Sequence, residues 1–311
     1  MAVASPLNST ITVGHQARAN INAKTICIHS AIPRSTREIV SNIDNVICGD
    51  IDHPINRSQK GRQIVSWELN FSLTWPVVQV VFPLLGNNGG AGPWTLGKAD
   101  VPVAFPCDLD LGPTAIHNLA NCIVDKWSIS GSKGGRPIMM KMVIIGETEL
   151  GGAFAEDKVT IASEYAFHHG SLTLEDDSIG PPGADRTRSY DRFMLSVDNK
   201  LVVEYNNSVT YTDAAIGGRQ SIFATSVPYV TAEDDLYIYY RDYDDGLNAS
   251  FVLTNSDKIL TFAMPQCMSI PRPASILGKA QQIRTPVTMM MHRGDNVGTR
   301  IDPLTITASG P

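Results

Sequence analysis

The residues able to do chemistry are scattered through this chain, and the spacings that would join them into a reactive group are missing. His15, His29, His53, His117 and His292 stand alone, with no cysteine or carboxylate at a ligand-like distance along the chain. His168 and His169 are adjacent, and neighbours on a strand point to opposite faces, so the pair is not expected to share a metal. Cys27, Cys48, Cys107, Cys122 and Cys267 are odd in number and contain no Cys-x-x-Cys pair, which reads as reduced, mostly buried thiols. Asp242-Tyr243-Asp244-Asp245-Gly246 looks like a calcium loop but puts Leu247 where an EF-hand needs glycine, so it reads as a solvated helix end. Glu175-Asp176-Asp177 reads as a solvated face. Gly131-Ser132-Lys133-Gly134-Gly135 lacks the phosphate-loop spacing and leads into a strand, so it reads as a hairpin tip. With no Gly-x-Ser-x-Gly elbow, His-Glu-x-x-His or paired-carboxylate signature, no catalytic, cofactor-binding or metal site is expected, and no enzyme.

The elements around these residues are mainly strands. Short apolar runs bounded by Gly, Asn, Asp and Pro dominate, the pattern of sandwiches and barrels. Trp127-Ser128-Ile129-Ser130, the glycine-rich tip and residues 137–145 predict one hairpin. Residues 193–197, an Asp198-Asn199 turn and residues 201–205 predict a second, and Asp44-Asn45 repeats that turn chemistry earlier in the chain. Residues 251–254 and 259–264, around Asn255-Ser256-Asp257, predict a third.

One helix per half is expected. Thr74 caps the first, with Pro76 in its first turn and Val77, Val80, Val81, Leu84 and Leu85 on the buried stripe, although Pro83 would kink or end it. Thr231-Ala232-Glu233-Asp234 starts the second with a capping-box pattern. Leu236-Ile238-Tyr240 also alternates, so a strand is the competing reading there. Residues 86–97, 177–189 and 271–283 read as long loops, either contact arms or surface segments. Met139-Met140-Met142 and Met289-Met290-Met291 read as core or subunit-contact strands.

The chain echoes itself. Asn42-Ile43-Asp44-Asn45 returns as Ser196-Val197-Asp198-Asn199, and Gly61-Arg62-Gln63 returns as Gly218-Arg219-Gln220. Pro137-Ile138-Met139-Met140-Lys141-Met142 returns as Pro286-Val287-Thr288-Met289-Met290-Met291 in the same order. These echoes predict one β module written twice, as residues 1–155 and 156–311, with a boundary around Leu150-Gly151-Gly152 and a glycine-rich insertion at residues 87–97 in the first copy only. A length of 311 residues with 43% hydrophobic and 18% charged residues suits two folded domains, each able to bury a core. No apolar run approaches the roughly 20 residues needed to span a bilayer, and a polar N-terminus predicts a cytosolic product. Lys and Arg number 12 against 11 Asp and Glu in residues 1–155, but 13 against 20 in residues 156–311. The second half thus carries the negative surplus, which argues against a grip on nucleic acid.

The run Arg192-Phe193-Met194-Leu195-Ser196-Val197-Asp198-Asn199-Lys200-Leu201, with Tyr205-Asn206-Asn207-Ser208 and Gly217-Gly218-Arg219 downstream, resembles the tail tube proteins of long-tailed bacteriophages in their two-module class. So does the stretch from Cys122 to Lys126 through Trp127 and the glycine-rich tip into the strand at Pro137, and the likeness covers the chain from about residue 20. The resemblance implies two tandem β-sandwich modules, each with a flanking helix, whose strands join those of neighbouring modules into a closed barrel. It implies a structural virion protein of the tail, assembled in the host cytoplasm into trimeric rings that stack into a conduit for DNA ejection. The implied partners are other copies of the chain, the tape-measure protein and genomic DNA in the lumen without sequence-specific binding, and tail terminator and distal tail or baseplate proteins at the ends. The residue pattern alone also admits a two-domain β-sandwich for binding or capsid decoration. That alternative predicts an exposed aromatic cluster on each module, whereas Trp67, Trp75, Trp94 and Trp127 all fall in the first half.

Overall fold

A computed structural model describes residues 18–41, 58–85, 92–96, 102–112, 116–155, 162–175, 185–228, 247–270 and 284–310, together with Asp157 and Val159 and apart from a few positions inside these ranges. The chain is mainly β, as its punctuated apolar runs require. The first half contains β1 (Arg18–Ile21), β2 (Lys24–Cys27), β3 (Ser30–Pro33), β4 (Thr36–Ser41), β5 (Ser58–Ser72), α1 (Trp75–Leu85), β6 (Trp94–Leu96), β7 (Phe105–Asp110), β8 (Ile116–Ser132), β9 (Met139–Gly146) and β10 (Thr148–Gly151). The second contains β11 (Gly170–Glu175), β12 (Asp185–Arg188), β13 (Arg192–Asp198), β14 (Leu201–Glu204), β15 (Asp213–Ile216), β16 (Gln220–Pro228), β17 (Leu247–Asn255), β18 (Lys258–Ser269), β19 (Arg284–Met291), β20 (Gly294–Asn296), β21 (Thr299–Ile301) and β22 (Leu304–Ser309). No helix among the described residues is long and apolar enough to cross a membrane, which leaves strands aside.

The backbone of the fold is the antiparallel run β5-β9-β8-β13-β16-β19-β18, in which β8 and β13 join the two halves edge to edge. Pairing order is the same on both sides of that junction. In the first half β5 pairs with β9, β9 with β8, and β8 with β7 and β10. In the second, β16 pairs with β19, β19 with β18, and β18 with β17 and β22. Register does not follow the sequence echo, however. Phe71 faces Met140 in the first half, and the echo would set Pro228 opposite Met289, but Met289 faces Phe223.

Alternation along each strand sets one face of the run inward. Phe71, Met140, Ile129, Leu195, Phe223 and Met289 follow one another across it as direct neighbours, and all are buried. The Met-rich strands therefore supply core, with Met140, Met142 and Met289 fully enclosed. One hydrophobic cluster holds residues from both halves. Phe82 on α1 stands at its centre, with ring centroids 5.6 Å from Trp94, 6.5 Å from Trp127 and 6.2 Å from Phe262. At the junction Gly131 faces Phe193, and a Cβ there would meet the Phe193 ring at 2.7 Å, so this position admits only glycine without a shift of the ring.

The first helix forms where expected. Thr74 Oγ1 accepts from the Val77 amide at 3.4 Å, and Pro83, which removes one i→i−4 bond, sits in the last turn, with the helix ending two residues later at Leu85. The second expected helix and the Asp242 run lie outside the described residues. The hairpins at residues 127–145 and 251–264 form as β8–β9 and β17–β18, the latter closing through Ser256 at φ 56°.

Other expectations are corrected. Asp198-Asn199 does not close a hairpin: β13 pairs with β8 and β16, and β14 pairs with β15. The loop at residues 86–97 contains β6, which pairs with β22, and the loop at 177–189 contains β12, which pairs with β11. Residues 42–45 and 271–283 lie outside the described residues. No sheet of the single chain closes into a barrel among the described residues.

Candidate functional site

The face of the run opposite the core forms a groove of about 700 Å³ that crosses the junction between the halves. Its construction follows from the strand period. In Trp67-Glu68-Leu69-Asn70-Phe71 the apolar residues turn inward, which turns Glu68 and Asn70 outward. Across the sheet, Glu68, Val143, Lys126, Asp198 and Gln220 are successive neighbours. One row along lie Asn70, Lys141, Ser128, Ser196, Ile222, Met290 and Met268. The face is therefore charged over the first half and the junction, and turns apolar over the second, where Met194 and Met268 are exposed.

The charges on this face are already matched. Glu68 is 4% exposed and takes Lys141 Nζ at 2.6 Å on one oxygen and Arg34 on the other. Burial alone would raise its carboxyl pKa, but the hydrogen bonds and charges of Lys141 and Arg34 outweigh burial and hold it below the usual value. Lys126 Nζ lies 2.8 Å from Asp198, and this hydrogen bond raises the lysine. Burial pulls Asp198 upward too, yet Lys126 and the Lys200 amide hold it low. Asp125 moves the other way, raised by burial although it accepts from the Leu201 amide at 3.2 Å. The groove wall holds Arg34, Lys126 and Lys141 against Glu68, Asp125 and Asp198, so cations and carboxylates balance. Such a wall offers no set of unpaired cations to a phosphate chain.

The groups weighed in the sequence lie elsewhere. His168 and His169 occupy a single 3-10 turn, not a strand, with rings 4.3 Å apart, which corrects the opposite-face expectation. His169 Nδ1 accepts from the Ala166 amide at 3.0 Å, and burial, then His168, lowers its pKa. No group of metal-ligating side chains occurs among the described residues. Glu175 is buried and accepts from the Asn248 amide at 2.6 Å, so it is not the solvated residue expected. Cys107, Cys122 and Cys267 are buried free thiols, with Cys122 and Cys267 each pushed up to about 12 by burial, while Cys27 is exposed. His117 Nδ1 lies 2.8 Å from Glu149, whose other oxygen accepts from Ser35 Oγ at 3.3 Å.

Sequence reasoning did not single out Glu68, Arg34, Lys141, Lys126 or Asp198. Alternation around Glu68 was the available signal for its outward face. Its partners lie far away in the chain, at residues 34 and 141, and only the strand pairing brings them together. No family model matches this chain, and neither does any curated protein sequence.

Proposed function

We propose that this chain is a tail tube subunit of a long-tailed bacteriophage, a structural virion protein made of two tube-type β modules, three copies of which close into a ring. The observation that carries the reading is the repeated pairing order, β5-β9-β8-β7 followed by β16-β19-β18-β17, with the two sets continuous through β8 and β13. A chain that already joins module to module by sheet continuation has the join that a ring needs at every boundary. Closure of such a ring removes the open strand edges, which are otherwise a route to aggregation.

The groove supports a lumen lining in the same reading. A conduit must let DNA and the tape-measure protein pass, and charges matched within the wall do not hold phosphate. The acidic surplus of the second half is not needed for this at the groove, whose charges balance. A binding or capsid-decoration module has less support, since Trp67, Trp94 and Trp127 are buried and provide no aromatic platform. Electron microscopy of concentrated protein, alone and with tail partners, tests the reading: rings and stacked tubes are expected, and monomers under every condition would sink it.

A further inference from the structure

β14 and β15 form a two-stranded arm that belongs in sequence to the second half but lies on the first. Leu201, Val203, Tyr205, Tyr211 and Ala214 close over Ile123 and Ile145, leaving Ile123 only 3% exposed. Tyr211 Oη donates to the Asn121 carbonyl, and Tyr205 Oη lies 3.5 Å from the Gln63 carbonyl. One stretch of the second half thus serves the first in two ways: β13 extends its sheet along β8, and the arm that follows covers part of its outer face.

Strand register locates the counterpart of the covered spot in the second half. β7 and β8 pair Phe105 with Cys122, slip, and resume with Cys107 opposite Leu119. β17 and β18 pair Leu247 with Cys267 and, after the same slip, resume with Ala249 opposite Met264. Cys122 and Cys267 therefore hold one position, and both are buried. The next residue on each strand turns to the outer face. Ile123 there faces Ile145 on β9, and Met268 faces Met290 on β19. One strand further along, Ile145 faces Ser66 on β5 and Met290 faces Ile222 on β16. The register with β7 or β17 on one side and with β9 or β19 on the other thus gives the same correspondence, Ile123 with Met268 and Ile145 with Met290.

The two spots differ in cover. Met268 is 56% exposed where Ile123 is enclosed, and Ile270 beyond it is exposed as well. Apolar side chains gathered on one outer face and left in water mark a surface that gains by association.

We propose that Met268 and Met290 are covered by the first half of a second copy of this chain. Within one chain the second half covers the first, so the unit that covers the second half is the one that comes next, and that unit is the first half of another copy. It enters at β3, which stands beside β5 as β13 stands beside β16. Among the described residues the one ladder of β3 is with β5, and Ile32 on this strand is 45% exposed. Each copy gives a β3 edge at one end and a methionine patch at the other, so the contact is heterologous and extends from copy to copy until it closes. The proposal rests on the tube reading only in taking the copies to associate.

Three variants at exposed positions test it by sedimentation. Met268→Arg blocks the patch and Ile32→Asp blocks the entering edge. Each alone is expected to weaken association at least ten-fold with its thermal transition kept, and an equimolar mixture is expected to give one-to-one dimers and nothing larger. Leu150→Arg, on β10, is expected to associate as the wild type does. Ile270→Arg replaces Met268→Arg if that variant melts early. Wild-type assembly by folded Met268→Arg or by folded Ile32→Asp overturns the contact, and so does a Leu150→Arg variant weakened as much as Met268→Arg. If the wild type forms rings and Met268→Arg forms the same rings, this contact alone falls; a wild type that stays monomeric under every condition removes the tube reading with it.

Discussion

Glu68 shows how a single carboxylate organises the outer face. Its two cationic partners keep about half of their side chains in water, at 54% exposed for Arg34 and 47% for Lys141. Removing the carboxylate therefore strands no buried charge. Glu68→Gln is expected to cost about 1–3 kcal/mol at neutral pH, the range for a lost charged hydrogen bond, measured by urea denaturation. The pH dependence follows from the direction of its shift. The folded carboxyl lies below its ordinary 4.5, so its stabilising effect is present above that value and is lost as pH falls through the lower, folded value. The gap between wild type and Glu68→Gln should accordingly close below pH 4.5, and an unchanged gap there would contradict the ion-pair assignment. In the sequence this residue was legible as outward-facing but not as a keystone, since Arg34 and Lys141 become its neighbours only through β3, β5 and β9.

Among the elements, α1 was legible because a cap, an early proline and a stripe of valines and leucines are local signals. Phe82, which sequence reasoning left off the buried stripe, turned out to be central, because it meets β6, β8 and β18 at once. Phe82→Ala is expected to destabilise by about 3–5 kcal/mol, read as a shift in the denaturation midpoint, and a cost under about 1 kcal/mol would show that the helix is not packed as described. The Asp198-Asn199 turn failed as a prediction for the opposite reason. Asn199 is 4% exposed, with Nδ2 donating to the Val124 carbonyl and its amide to the Asp125 carbonyl, each at 2.8 Å. Those bonds to β8 carry the chain out of β13 onto the first half instead of back along its own strand. A turn pair marks where the chain bends; it does not say which strand will satisfy the groups on either side.

At the scale of the molecule, the two halves share a sheet and a core. β8 pairs with β13, β22 with β6, and Phe82 with Phe262 across the 155/156 division. One cooperative unfolding transition is therefore expected. The four tryptophans all lie in the first half, so indole fluorescence reports that half while far-UV circular dichroism reports both. Coincident denaturation curves are expected from the two probes, and a fluorescence curve displaced from the dichroism curve would show halves that unfold separately.

The sequence by itself determined a mainly β chain, its capped first helix, two hairpins and the inward-facing Met strands, because each rests on residues within a few positions of one another. Only the tertiary structure decided the registers, the junction of β8 with β13, the reach of the β14–β15 arm and the matched charges of the groove. All of these depend on which distant strand lies alongside, and a period-two pattern is the same for every partner.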